Sequence, residues 1–68
     1  MKIKGKLVKE AREDADMNRK ALAFYSGLTV SRIWQIETDE ESNVNPNIVE
    51  AMARCMNTTI EYLEGDEL

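Results

Sequence analysis

The apolar positions of this chain recur in steps of three and four, the spacing that gathers side chains on one face of an α-helix. Leu7, Val8 and Ala11 share such a face and place a first helix from about Ile3 or Lys4 to Asp14. Asn18 is a strong N-cap for a second helix that ends near Ser26, ahead of Gly27. Thr29 caps a third, whose inward Ile33 and Ile36 sit one turn apart. Residues 38–47 are dense in turn formers and read as a polar loop. Pro46 suits the first turn of a fourth helix, capped by Asn45 and running to about Met56, with Ile48, Met52, Cys55 and Met56 buried. Asn57 tolerates the left-handed conformation that ends it. Thr58 or Thr59 then caps a short fifth helix through Ile60 and Leu63, and Thr58 with Glu61 forms a capping box if the helix starts at the former. Leu7, Leu22, Ile33, Ile36, Met52, Met56, Ile60 and Leu63 are the expected core.

Residues 18–37 are the most informative stretch. Two short helices can cross steeply only where a small residue admits close approach and a permissive one turns the chain. Ala23 supplies the first and Gly27, through a positive φ, the second. Leu22, Leu28, Ile33 and Ile36 then form the inner seam. This is the helix-turn-helix pattern, whose second helix commonly enters a DNA major groove.

Length bounds the fold to one domain, 1–68, with the helix-turn-helix at about 18–37. Such a small domain buries only about 60% of its unfolded surface, so short helices must pack economically. With 43% apolar and 32% charged residues the composition is that of a folded, water-soluble chain. No apolar run is long enough to cross a membrane, and a lone Cys55 fits a reducing compartment, so a cytoplasmic location is expected. The net charge of −4 counts against nucleic acid until its distribution is considered. Residues 1–36 carry eight Lys/Arg against four acids, whereas residues 37–68 carry Arg54 against nine acids. An acidic body with a basic face can still bind phosphates, because binding senses charge within about 8–10 Å.

The run Leu22-Ala23, Gly27-Leu28-Thr29, Ser31, Ile33, Ile36-Glu37, then Pro46 and Met52-Ala53…Met56, resembles the Cro/CI-type (XRE) helix-turn-helix family. The resemblance covers roughly residues 3–64 and implies an all-α, five-helix, lambda-repressor-like fold. It also implies a sequence-specific transcription regulator that binds a double-stranded DNA operator as a homodimer. Matching positions assign base reading to Val30, Ser31, Trp34 and Gln35, all outward on the third helix. Gln35 has the chemistry to bond adenine N6 and N7, Ser31 several bases, and Val30 a thymine methyl. Asn18, Arg19, Lys20, Thr29 and Arg32 are the phosphate candidates, with Arg19 standing where the family often has Gln. Lys20 and Arg32 also read as plain solvated helix charges. By resemblance Arg12 pairs with Glu37 and fastens the third helix to the first; the plainer reading is two solvated charges. The fifth helix and the tail through Leu68 are the implied dimer surface.

Two departures from the family keep a second reading open. The connection after Glu37 is long, lacks Gly and carries Asp39-Glu40-Glu41, which would repel phosphates unless it swings away. Phe24 and Tyr25 occupy positions commonly polar in the family, and Trp34 is an outward aromatic. These three either mark a protein interface or, for Phe24 and Tyr25, fold back as satellite core. The alternative function is an antirepressor or modulator that grips another regulator through this aromatic and acidic surface. The chain has no His, which excludes His-based catalysis and Cys/His zinc ligation. Cys55 reads as core, and the acidic run lacks a calcium loop's spacing, so neither enzyme activity, metal nor cofactor is expected.

Overall fold

After the first, each helix begins where a short polar side chain replaces a missing hydrogen-bond partner of the first turn. In the computed structural model, which describes residues 1–66, a strand β1 (Lys2–Lys4) leads directly into α1 (Gly5–Asp14). The helices α2 (Arg19–Ser26) and α3 (Val30–Thr38) follow, then β2 (Glu41–Asn43), α4 (Pro46–Cys55) and α5 (Ile60–Glu64). The Asn18 side chain accepts from Ala21 N–H, Thr29 from Arg32 N–H, Asn45 from Asn47 N–H and Thr59 from Tyr62 N–H. Because α5 starts at Ile60, Thr59 is the cap and the Thr58/Glu61 box does not form.

Helix ends are equally local. Asp16, Gly27, Asn57 and Gly65 all have positive φ, at 55°, 72°, 56° and 83°. At each, the next residue's N–H reaches back five residues to a helix carbonyl: Met17 to Arg12, Leu28 to Ala23, Thr58 to Ala53 and Asp66 to Glu61. This is the Schellman arrangement, which satisfies carbonyls that the helix leaves open. Gly27 and Asn57 act as the sequence suggests, whereas Asp16 and Gly65 are additional.

The five expected helices are present, and a small antiparallel sheet is added to the expected all-α architecture, with Lys2 opposite Asn43, Ile3 opposite Ser42 and Lys4 opposite Glu41. The first helix therefore starts at Gly5, and the presumed polar loop is partly strand. Val44 N–H donates to the Met1 carbonyl at 2.8 Å and extends the pairing. Ile3 points inward from β1 and is fully buried, while Lys2 and Lys4 face outward. Glu41 accepts from Lys4 Nζ at 2.8 Å, which places the acidic connection against a lysine pair.

The core is one cluster whose fully buried side chains are Ile3, Val8, Leu22, Ile33, Ile36, Val49, Met52 and Leu63. The seam expected between α2 and α3 is present, although Leu28 is only half-buried, as is Leu7 on α1. On α4 the inward residues are Val49, Met52 and Ala53, with Met56 following. Ile48 and Cys55, expected inside, and Ile60 on α5 are half-buried instead. The helix α4 is thus turned slightly from the phase its largest side chains suggest, with Val49 and Ala53 buried where it packs on α2 and α5. Burial pushes the half-buried Cys55 thiol above its ordinary range, so it is held as the unreactive thiol.

Gly5 is the tightest backbone crossing. A Cβ there would run into the carbonyl oxygens of Ile36, Glu37 and Asp39, the last turn of α3 and its exit. All three obstacles are main chain and cannot rotate away. Gly5→Ala is therefore expected to lower unfolding stability by about 1–3 kcal/mol or more, measured by urea denaturation. A second expectation concerns the hairpin. The hydrogen bond from Lys4 and its charge hold the Glu41 carboxyl below the usual carboxylate range, and the same contact raises Lys4. A lowered carboxylate adds stability above its unfolded pKa and loses it as pH falls through the folded pKa. A raised amine adds stability below its unfolded pKa and loses it as pH rises through the folded one. The stability difference between the wild type and Glu41→Gln should thus be greatest near neutral pH and vanish in acid, as read by thermal melts.

Candidate nucleic-acid interface

The outer face of α3 follows from the inner one. With Ile33 and Ile36 fully buried, the 3.6-residue repeat turns Val30, Ser31, Trp34 and Gln35 to solvent. All four are exposed, Trp34 at 55%. They form an uncharged ridge along a nine-residue helix whose start is fixed by Thr29. Gln35 is not free at both ends of its amide. Arg32 Nη1 donates to Gln35 Oε1 at 3.0 Å, which takes one of that oxygen's two lone pairs. Arg32, a phosphate candidate in sequence, is turned toward its own helix. Thr38 closes the far end of α3, its hydroxyl lying 2.9 Å from the Trp34 carbonyl.

The phosphate candidates gather at helix starts. Asn18 precedes α2, Arg19 and Lys20 open it, and Thr29 precedes α3. The first N–H groups of each helix lack intrahelical partners and point outward, the usual recipe for holding an anion. Lys20 and Thr29 are exposed, and Arg19 is half-buried.

Beneath this surface lies the ion-pair cluster. The Glu37 side chain is 1% exposed. Its Oε2 accepts from Arg12 Nε at 2.6 Å, and its Oε1 accepts from Arg12 Nη2 at 3.3 Å. Arg12 Nη1 donates to the Met17 carbonyl at 2.8 Å, so each of this guanidinium's three nitrogens is engaged. Arg19 Nε reaches the same Oε1 at 2.9 Å. One carboxylate at the end of α3 thereby binds α1 and the first residue of α2, while Arg12 in turn ties down the α1–α2 connection. The second arginine is what sequence reasoning missed. A signal was present, since Arg12 and Glu37 meet near the end of α1 and Arg19 follows within a few residues, but it needs the pairing first.

The aromatic residues do not fold back. Phe24 is 79% and Tyr25 61% exposed, and their rings meet edge to face with centroids 5.3 Å apart. Tyr25 also edges a shallow cleft of about 260 Å³ between α2 and α4, lined by Asn47, Glu50, Ala51, Arg54 and Cys55. Among the described residues no group of His, Cys, Asp or Glu is arranged to hold a metal, and no helix is long and apolar enough to cross a membrane.

A family model described as helix-turn-helix matches residues 8–63, most of the chain. No curated protein and no solved structure matches it.

The buried cluster sets a stability expectation. Removing one partner of a buried pair strands the other charge, at a cost of about 3–5 kcal/mol. Arg12→Ala is expected near the lower end, about 3 kcal/mol, because Arg19 still neutralises Glu37. Chemical denaturation of the variant beside the wild type measures it, and an unchanged midpoint would contradict a buried pair.

Proposed function

The chain belongs to the Cro/CI-type helix-turn-helix family of DNA-binding transcription regulators, and from that membership we propose that it reads a specific operator with α3 laid in the major groove. The observation that carries the reading is the exposed ridge Val30, Ser31, Trp34 and Gln35 on a helix whose opposite side is buried. Val30 and the Trp34 ring offer apolar contact to thymine methyls, and Ser31 offers a hydroxyl to either kind of base edge. With one lone pair of Oε1 taken by Arg32, the Gln35 amide still has its NH2 donors and a second lone pair, so it has the chemistry for the acceptor edges of guanine or thymine and for the N6/N7 edge of adenine. Asn18, Arg19, Lys20 and Thr29 sit where they can bond flanking phosphates. Phosphate contacts position the module and base contacts specify the sequence.

A homodimer on DNA fits this reading, since one helix offers few base contacts and a pair doubles them. Two half-sites would then lie about 34 Å apart. Of the implied dimer surface, α5 is present, while residues 67 and 68 lie outside the described residues. A cytoplasmic location and the single-domain extent belong to the same proposal.

One observation favours a second activity. Phe24 and Tyr25 are too exposed to serve the core, and paired rings standing in water suit a protein contact. On this reading the protein grips another regulator through that face, alone or beside DNA binding. The acidic connection counts less against DNA than its sequence suggests, because Glu41 is paired with Lys4; Asp39 and Glu40 stay exposed.

Selection from a random duplex pool, followed by titration of the recovered site, tests the proposal. Gln35→Ala should lose about 1–3 kcal/mol and relax preference at one base pair. Arg19→Ala should weaken all sequences alike and reduce the salt slope by about one. Equal affinity of the wild type for the recovered site and a scrambled duplex would defeat base reading. An empty selection at low salt, together with capture of a partner that Phe24→Ala abolishes, would favour the protein-contact reading.

A further inference from the structure

Arg12 and Arg19 share one carboxylate but are used differently. Arg12 turns Nε and Nη2 to Glu37 and Nη1 to the Met17 carbonyl, and its side chain is 10% exposed. All three of its nitrogens are engaged, and burial keeps the remaining N–H groups from the surface. Arg19 gives Glu37 only its Nε, at 2.9 Å, and its side chain is 35% exposed. Among the described residues no partner engages Arg19 Nη1 or Nη2. A guanidinium is flat and rigid, so fixing Nε fixes the direction in which the two terminal amines point. Two arginines on one carboxylate also leave one positive charge uncancelled, and only Arg19 can bring it to the surface.

We propose that Glu37 is a positioning residue for DNA phosphate, holding Arg19 by Nε so that its free Nη edge meets the backbone where α2 begins. This rests on the DNA-binding reading and deepens it: the buried carboxylate that anchors the recognition helix also aims the phosphate contact. Helix α3 and the phosphate clamp therefore share one fixed point, so that register along the backbone and depth in the groove are set together. Arginine is specifically required. A lysine ammonium has the charge, but it is a point donor on a flexible stem and cannot hold Glu37 by one edge while offering another.

The test uses the full chain, a fluorescently labelled mixed-sequence duplex and side-chain NMR. In the free protein the Arg19 Nε–H should exchange slowly with water, as should that of Arg12, while that of Arg54, bonded through Nη2 on the exposed face of α4, should exchange fast. Arg19→Lys should bind the duplex several-fold to about tenfold more weakly, with an unchanged slope of log affinity against log salt, because no charge is lost. Affinities are compared well below the melting temperature of each protein. A role confined to stability would lower that temperature and leave the affinity alone. Arg19→Lys binding as tightly as wild type overturns the inference, and so does an Arg19 Nε–H that exchanges as fast as that of Arg54. Wild type that binds no duplex even at low salt overturns the DNA reading itself, and the inference with it.

Discussion

The shared carboxylate of Glu37 is the constraint on which the architecture turns. A charge buried to this degree is tolerable only when fully hydrogen-bonded. Meeting that need draws Arg12 of α1, the Met17 carbonyl beyond it and Arg19 of α2 to the end of α3. Apolar packing alone leaves helices free to slide by a fraction of a turn, since Ile, Leu and Val fill a seam in more than one way. An ion pair with fixed angles removes that freedom. Gly5 works at the same place from the other side, where its bare backbone lets α1 start against the carbonyls of Ile36, Glu37 and Asp39. The apolar seam thus chooses which residues of α3 face outward, and the polar cluster fixes where its end sits against α1 and α2.

Charge is partitioned in the same manner. The chain is acidic overall, yet several of its carboxylates are engaged internally: Glu37 by two arginines, Glu41 by Lys4, Glu50 by Arg54, and Glu10 by the Tyr62 hydroxyl at 3.3 Å. The outward residues of α3 carry no charge, and Arg19, Lys20 and Arg32 stand at its margins. A surface of this kind attracts a polyanion at short range while the molecule as a whole repels it, which makes encounter sensitive to salt and to orientation.

What the sequence makes legible here is what the chain decides locally. Asn18, Thr29, Asn45 and Thr59 cap helices by reaching backbone groups two or three residues away, and Gly27 needs only its own φ. Helical periodicity also finds the inner seam through Leu22, Ile33 and Ile36. Local patterns are silent on the strand pairing of Lys2 with Asn43, because three-residue strands have no periodicity to detect and their partners lie far apart in the chain. The phase of α4 is misjudged for a related reason. Val49 and Ala53 are inside while the larger Ile48 is half-buried, an outcome set by how α4 docks rather than by its own composition. At the surface, the outward set on α3 follows directly from the seam, whereas the Arg32–Gln35 bond and the second arginine on Glu37 depend on rotamers and on where α2 docks.

Trp34 is the sole indole in the chain, and it stands half in water on the ridge of α3. Any body that covers the ridge must dry this ring further. The protein thus carries an intrinsic optical reporter at its most informative surface, placed to sense occupancy with no label or substitution required.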